Sequence, residues 1–255
     1  FRSEFLQRAV ALDPRSAEAQ SNLGFALLSL ERYEDARRHL EKAVTLQPNF
    51  PTAQRNLANA LLCLGLNEAA AAAFERVIAR KPDDAEAWCN LGVAQLRLKH
   101  YEACATSCER ALALRPSYFD ALFNLGQAHV ALRHMAVAEA AFSAALAIKP
   151  DAADALAERG QLYLLMDRKA QAEADFDAAV ALAPTLLSGW LGKAQTSMFR
   201  GDVAQAITAC RHVLEQDTTS ELGLTLLGTC LGRLGDAAGA IAHFDRAIAV
   251  NPDYD

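Results

Sequence analysis

Prolines recur at one phase through this 255-residue chain: Pro14, Pro48, Pro82, Pro116, Pro150 and Pro184 are each 34 positions apart, Thr218 fills the next slot, and Pro252 resumes the series. A period of this length and strictness excludes one closed core, because repeated units stack along a line and touch chiefly their neighbours. Proline removes a backbone donor and restricts the residue before it, so each marks the end of a helix. Within two residues of these prolines stand Ser16, Asn49, Asp83, Ser117, Asp151, Thr185 and Asp253, side chains able to cap the helix that follows.

Between prolines the apolar residues keep helical spacing, with a break midway at Gly65, Gly201 and Gly235, or at polar residues such as Glu31 and Asp167. Each period is therefore expected to be a helix pair. Residues 1–16 supply a second helix with its exit turn, and full units run 17–50, 51–84, 85–118, 119–152, 153–186, 187–220 and 221–254. One column of the first helix is small: Gly24, Ala58, Gly92, Gly126, Gly160, Ala194 and Gly228. The second helix answers with small residues at Ala36, Ala70, Cys104, Ala138, Ala172, Ala206 and Ala240, and with bulk at Leu40, Phe74, Phe142, Phe176 and Phe244. Such matched holes and knobs let the helices of a pair approach closely.

In the unit 85–118, Trp88, Leu91 and Gly92 form W-x2-L-G and Pro116 closes the unit. With the columns above, this resembles the tetratricopeptide repeat family over essentially the whole chain. The resemblance implies an all-α fold, a right-handed superhelical solenoid of antiparallel helix pairs with about seven and a half repeats, whose first helices line a concave groove that receives a peptide. The expected function is a protein–protein interaction scaffold binding an extended peptide or partner segment.

On each first helix the groove face is expected to carry Asn22, Asn56, Asn90 and Asn124, then Glu158, Gly192 and Leu226. One turn on come Phe25, Asn59, Val93, Gln127, Gln161, Gln195 and Thr229. Carboxamides donate and accept, so a row of them at one-repeat spacing suits the backbone of an extended peptide. Arg55, Asn22, Asn56, Asn59, Asn90, Asn124, Gln127 and Gln161 are the candidate peptide-binding residues. Four positions before the asparagines, Glu18, Thr52, Glu86 and Asp120 make the early groove acidic and favour a basic or polar ligand. Seven positions after them, the later residues Leu165 and Phe199, with Leu191 and Leu226 nearby, make it more apolar.

Two narrower resemblances bear on the ligand. Asn56–Leu61, preceded by Asn49–Pro51, is similar to the repeats of O-GlcNAc transferase-type glycosyltransferases, in which an asparagine ladder holds protein substrates beside a separate catalytic domain. A substrate-recognition arm of such an enzyme is the alternative function. Arg55, Asn59 and Asn90 also fall where part of the carboxylate clamp of chaperone-binding co-chaperones would, but Asp120 and Asn124 stand where that clamp needs two cations.

The remaining signals point away from chemistry. Net charge is −6 with no basic block, so no nucleic-acid partner is expected. No apolar run spans a bilayer, so no membrane insertion is expected. Six cysteines form no CxxC pair, which points to a reducing, cytoplasmic compartment. Cys104 and Cys108 share a helix face but occupy small or apolar columns, so packing is expected and no metal. His39, His100, His129, His134, His212 and His243 lack a recurring partner, and the first, second, fourth and last are expected at the surface. Neither enzymatic activity nor a cofactor is expected. Arg159 and Lys193 stand in the column otherwise held by Leu23, Leu57, Leu91, Leu125 and Leu227, where they must snorkel, pair with acids such as Asp175, or frame an anion pocket. The chain begins in mid-pattern at Phe1 and reads as a fragment, and its uncovered end repeats are expected to invite end-to-end self-association.

Overall fold

The computed structural model describes residues 2–251, with side chains from Phe5 onward. Phe1, Pro252, Asp253 and Asp255 lie outside the described residues. All secondary structure among the described residues is α-helix. The chain forms two compact units, residues 1–133 and 134–255.

In the first unit, α1 (Arg2–Leu12) precedes the pairs α2 (Ala17–Ser29) with α3 (Tyr33–Leu46), α4 (Pro51–Cys63) with α5 (Asn67–Arg80), and α6 (Ala85–Arg97) with α7 (Tyr101–Leu114), and α8 (Phe119–Ala131) follows. The second unit opens with α9 (Met135–Ile148) and continues with α10 (Ala153–Leu165) and α11 (Lys169–Leu182), α12 (Leu187–Arg200) and α13 (Val203–Gln216), and α14 (Glu221–Arg233) and α15 (Ala237–Val250). Within each unit every helix packs on its chain neighbours, and successive first helices also touch: α2 on α4, α4 on α6 and α6 on α8 in one, α10 on α12 and α12 on α14 in the other.

The small column does what its spacing predicts. A Cβ on Gly24 would fall 2.5 Å from Leu40 Cγ, on Gly160 2.9 Å from Phe176, and on Gly228 2.8 Å from Phe244. Gly192, outside that column, also faces Phe176, so this ring is held between glycines of α10 and α12. Phe74, Phe142 and Phe176 are fully buried, each stabilising its pair by about 2–3 kcal/mol through apolar burial. A representative core layer joins Leu61, Phe74, Val77, Ile78 and Leu91 from α4, α5 and α6.

The turn inside each pair is set by a residue in the left-handed region. Glu31, Gly65, Lys99, Arg133, Asp167, Gly201 and Gly235, one per repeat, have φ between 56 and 84°. In six of them the next residue's N–H reaches back five positions, as from Arg32 to Leu27 O, Leu66 to Leu61 O and His100 to Gln95 O, which closes the helix in a Schellman-type turn. Only three of these positions are glycine, so the other four hold a conformation that costs an L-residue about 1 kcal/mol.

The turn between repeats departs from expectation in its caps. Ser16 does cap α2 by accepting from Ala19 N, but the cap of α6 is Asp84 and not Asp83. The cap position falls two residues after the proline and the helix starts at the third, so Asn49, Ser117, Asp151 and Thr185 stand one position too early. Phe50, Tyr118, Ala152 and Leu186 occupy the cap positions there without a side-chain cap bond. Whether or not the turn carries a side-chain cap, the carbonyl of the proline is tied down by the residue six positions on: Gln20 Nε2 to Pro14 O at 2.9 Å, Trp88 Nε1 to Pro82 O at 2.9 Å, and Trp190 Nε1 to Pro184 O at 2.8 Å. The tryptophan of W-x2-L-G thus locks the inter-repeat turn as well as packing.

Candidate peptide-binding face

Helical spacing puts Glu86, Asn90, Val93 and Arg97 on one side of α6, with equivalents on α2, α4 and α8. Contact between successive first helices brings these stripes side by side in the first unit. The outermost columns are open to solvent: Glu18, Thr52, Glu86 and Asp120 at one edge, and Ser29, Cys63, Arg97 and Ala131 at the other.

The asparagines do not share one environment. Asn22 is exposed, Asn90 is half-buried, and Asn56 and Asn124 are buried at 4% and 8% exposure. Asn90 Nδ2 donates to Asn59 Oδ1 at 3.0 Å, linking α6 to α4 across one repeat. Asn124 Nδ2 instead approaches Cys89 Sγ at 3.8 Å, inside the stack. Burial pushes the Cys89 thiol up to about 11, which keeps it a neutral acceptor for that amide. Gln127 on α8 is half-buried.

Arg55 is half-buried, with Nη1 3.6 Å from Asp84 Oδ2. It lines a cavity of about 480 Å³ together with Thr52, Arg80, Lys81 and Asp84. Arg97, which departs from its column in sequence, donates Nη1 to Leu62 O at 2.8 Å and so satisfies a carbonyl at the end of α4. Arg233 does the same in the second unit, to Met198 O at 3.0 Å. Phe25 is 58% exposed at the α2 end of the face.

In the second unit Gln161 is exposed and Gln195 half-buried. Phe199 and Leu165 face solvent, whereas Leu191 and Leu226 are half-buried, the latter against the core around Leu227. Lys169 lies over the Phe199 ring, 4.9 Å from its centroid. Arg159 and Lys193 are both paired through α11: Arg159 makes a bidentate contact with Asp175 at 2.7 and 2.8 Å, and Lys193 Nζ meets Asp177 Oδ1 at 2.5 Å. Asp175 was foreseeable from the repeat register. Asp177 was not, because it points outward by phase and is reached only by the flexible lysine stem.

Cys89, Cys104, Cys108, Cys210 and Cys230 are buried, whereas Cys63 is exposed. Cys104 and Cys108 are fully buried with their sulfurs 4.0 Å apart, and a Cβ on Gly92 would meet Cys108 Sγ. His100 and His134 are exposed. His39 and His243, expected at the surface, are half-buried. The reason for His39 is a fully buried glutamine: Gln20 spends its amide on Pro14 O, so its Oε1 accepts from His39 Nδ1 at 2.7 Å.

Family profiles described as tetratricopeptide repeat match residues 4–60 and 27–88, 85–118, 123–186 and 223–254. The chain belongs to the tetratricopeptide repeat family. Such repeats serve in general as scaffolds for protein partners. A search of curated proteins finds no match.

Among solved structures, the Cut9–Hcn1 hetero-tetramer of APC/C superposes with a TM-score of 0.80 at 15% identity, over 99% of this chain and 50% of that one. The chain therefore spans half the length of that relative. PilF of Pseudomonas aeruginosa matches with a TM-score of 0.70 at 19% identity over 81% of this tetratricopeptide repeat chain and 94% of its own. YrrB, described as having an unusual peptide-binding site, matches at 0.59 and 21% identity over 73% and 96%. No helix among the described residues is long and apolar enough to cross a membrane.

Proposed function

We propose that this protein is a non-catalytic interaction scaffold, and that the first-helix face of the first unit, from α2 to α8, binds an extended segment of a partner protein. The observation that carries the reading is the half-buried amide row of Asn59, Asn90 and Gln127, flanked by exposed Glu86 and Asp120. Half-buried carboxamides are held in place by their surroundings and still present groups for a peptide backbone, at the spacing of one repeat. The peptide-binding site ascribed to YrrB supports the same use of the fold. Asn22 extends the row at an exposed position, Asn56 and Asn124 act by holding the first helices in place, and Arg55 offers the edge a cation, while Gln161 belongs to α10 of the second unit.

The exposed carboxylates favour a polar or basic segment over nucleic acid. A recognition arm of a larger glycosyltransferase is not favoured by these relatives. Fluorescence anisotropy with extended peptides of varied charge tests the proposal: Asn59→Ala with Asn90→Ala is expected to weaken the best binder about tenfold without loss of helical signal. Unchanged affinity sinks it.

A further inference from the structure

A second feature of the first unit lies on the other side of α6. Trp88, Leu91 and Gln95 fall within about 60° of one another on a helical projection and point roughly opposite to Asn90 and Val93. They floor a cleft of about 470 Å³ whose walls come from α5, including Glu75 and Ile78, and from α7, including Thr106 and Ser107.

The chemistry of the cleft is one-sided. Ser107 Oγ gives its proton to Gln95 Oε1 at 2.7 Å, Thr106 Oγ1 gives its own to Glu102 O at 3.0 Å, and the Trp88 indole N–H is committed to Pro82 O. What remains is a carboxylate at Glu75, hydroxyl lone pairs, an indole ring and apolar wall. The one side-chain donor left among the lining residues is the Gln95 amide. Such a cleft accepts hydrogen bonds and offers a π face, which suits a ligand rich in donors and positively charged.

The repeat itself identifies the shape of that ligand. Sixty-eight residues on, two repeats later, the positions of Glu75, Leu91, Gln95 and Ser107 hold Ser143, Arg159, Tyr163 and Asp175. There the corresponding space is filled from within. The Arg159 guanidinium is bound bidentately by Asp175, donates to Ser143 Oγ at 3.3 Å, and sits 5.7 Å from the Tyr163 ring centroid. In the first unit the filler is shortened to Leu91, while a carboxylate, a hydroxyl and an aromatic group remain around the space, carried by Glu75, Ser107 and Trp88.

We infer that the cleft between α5 and α7 is a second docking site, which takes an arginine side chain from a partner protein in the place that Arg159 fills in the second unit. The stem lies along Ile78 and Leu91, and the guanidinium is held by Glu75 and the Ser107 and Gln95 oxygens, with Trp88 alongside. Arg110, which does not line the cleft, already sits 5.9 Å from the Trp88 ring centroid, so that ring tolerates a cation. Because the cleft and the amide row use opposite faces of α6, either proposal can fail without the other.

The test uses the whole chain with Trp190→Phe, so that emission reports on Trp88. A blocked pentapeptide with arginine between two leucines is expected to change that emission saturably, and the same peptide with citrulline to bind at least tenfold more weakly. Leu91→Arg with Ser107→Asp rebuilds the internal plug and is expected to remove binding. Glu75→Gln, an exposed change that leaves packing alone, is expected to weaken it severalfold and guards against misfolding of the plugged variant. Equal binding of the citrulline peptide, or arginine binding that survives both the plug and Glu75→Gln, overturns the site, as does absence of any saturable response.

Discussion

Asn90 and Asn59 are joined by a side-chain hydrogen bond, Nδ2 to Oδ1 at 3.0 Å, that ties α6 to α4 across one repeat. The bond uses Asn90 Nδ2 and Asn59 Oδ1, so in the proposed site the atoms offered to a peptide are Asn59 Nδ2 and Asn90 Oδ1. It also separates these residues from Asn56 and Asn124, which are buried.

Alanine substitutions along the row are therefore expected to divide. Asn124→Ala removes a buried amide beside Cys89 and should destabilise the fold by about 1–2 kcal/mol. Asn90→Ala removes a half-exposed bond and should cost about 0.5–1 kcal/mol. Urea melts of the two single variants check this, and equal losses would place both residues in the same environment.

Lys99 and Arg133 hold φ of 61° where Gly65, Gly201 and Gly235 do the same job in other repeats. Lys99→Gly should stabilise the chain by up to about 1 kcal/mol, because strain relieved in the turn outweighs the added freedom of the unfolded chain. Gly65→Ala, which finds open space but the wrong φ, should destabilise by about 1 kcal/mol. Thermal denaturation of both variants measures the signs.

Arg159→Leu restores the column's usual residue yet strands Asp175, which is 6% exposed. A loss of about 2–4 kcal/mol is expected, since one partner of a largely buried pair is left alone. Adding Asp175→Ala should recover most of it. A double variant no better than the single would mean that the pair is not the cause.

His39 and His243 both have their pKa lowered, chiefly by burial, with nearby Arg38 and Arg246 adding to the effect. A folded pKa below the unfolded value means that the unfolded chain takes the proton first. Their contribution is thus fully present above the ordinary histidine pKa of about 6.5 and is lost as pH falls through the lowered folded value. The melting temperature should drop between pH 7 and pH 5, and His39→Gln with His243→Gln should flatten that slope. A slope unchanged in the double variant would assign it to carboxylates instead.

The repeat, the helix pairs and the packing columns were legible from residue types alone, because each is a local rule applied at constant phase: proline stops a helix, glycine admits a neighbour, phenylalanine fills the gap. Gly24 with Leu40 and Gly160 with Phe176 could be matched before any coordinates. The caps were less legible. Ser16 stands where the sequence puts it, and the cap of α6 lies one residue on, since Asp83 and Asp84 carry the same chemistry and only the turn geometry selects the second. By contrast, α4, α8, α10 and α12 start without a side-chain cap bond.

The face proposed to bind a partner was less legible. Asn56, Asn90 and Asn124 are identical in sequence phase, but the depth at which each lies depends on the side chains of adjoining repeats. Cys89 and Cys104 lie against Asn124, while Asn59 draws Asn90 sideways. The same holds for the cleft of Trp88, Leu91 and Gln95, which shares its repeat positions with the site around Arg159 but differs in its lining and in having no side chain of its own to fill it. Periodicity in the sequence determines which residues share a column. How deeply a column member is buried, and whether its hydrogen-bonding groups are already satisfied, is decided between helices that lie 20 to 35 residues apart, and so by the tertiary structure.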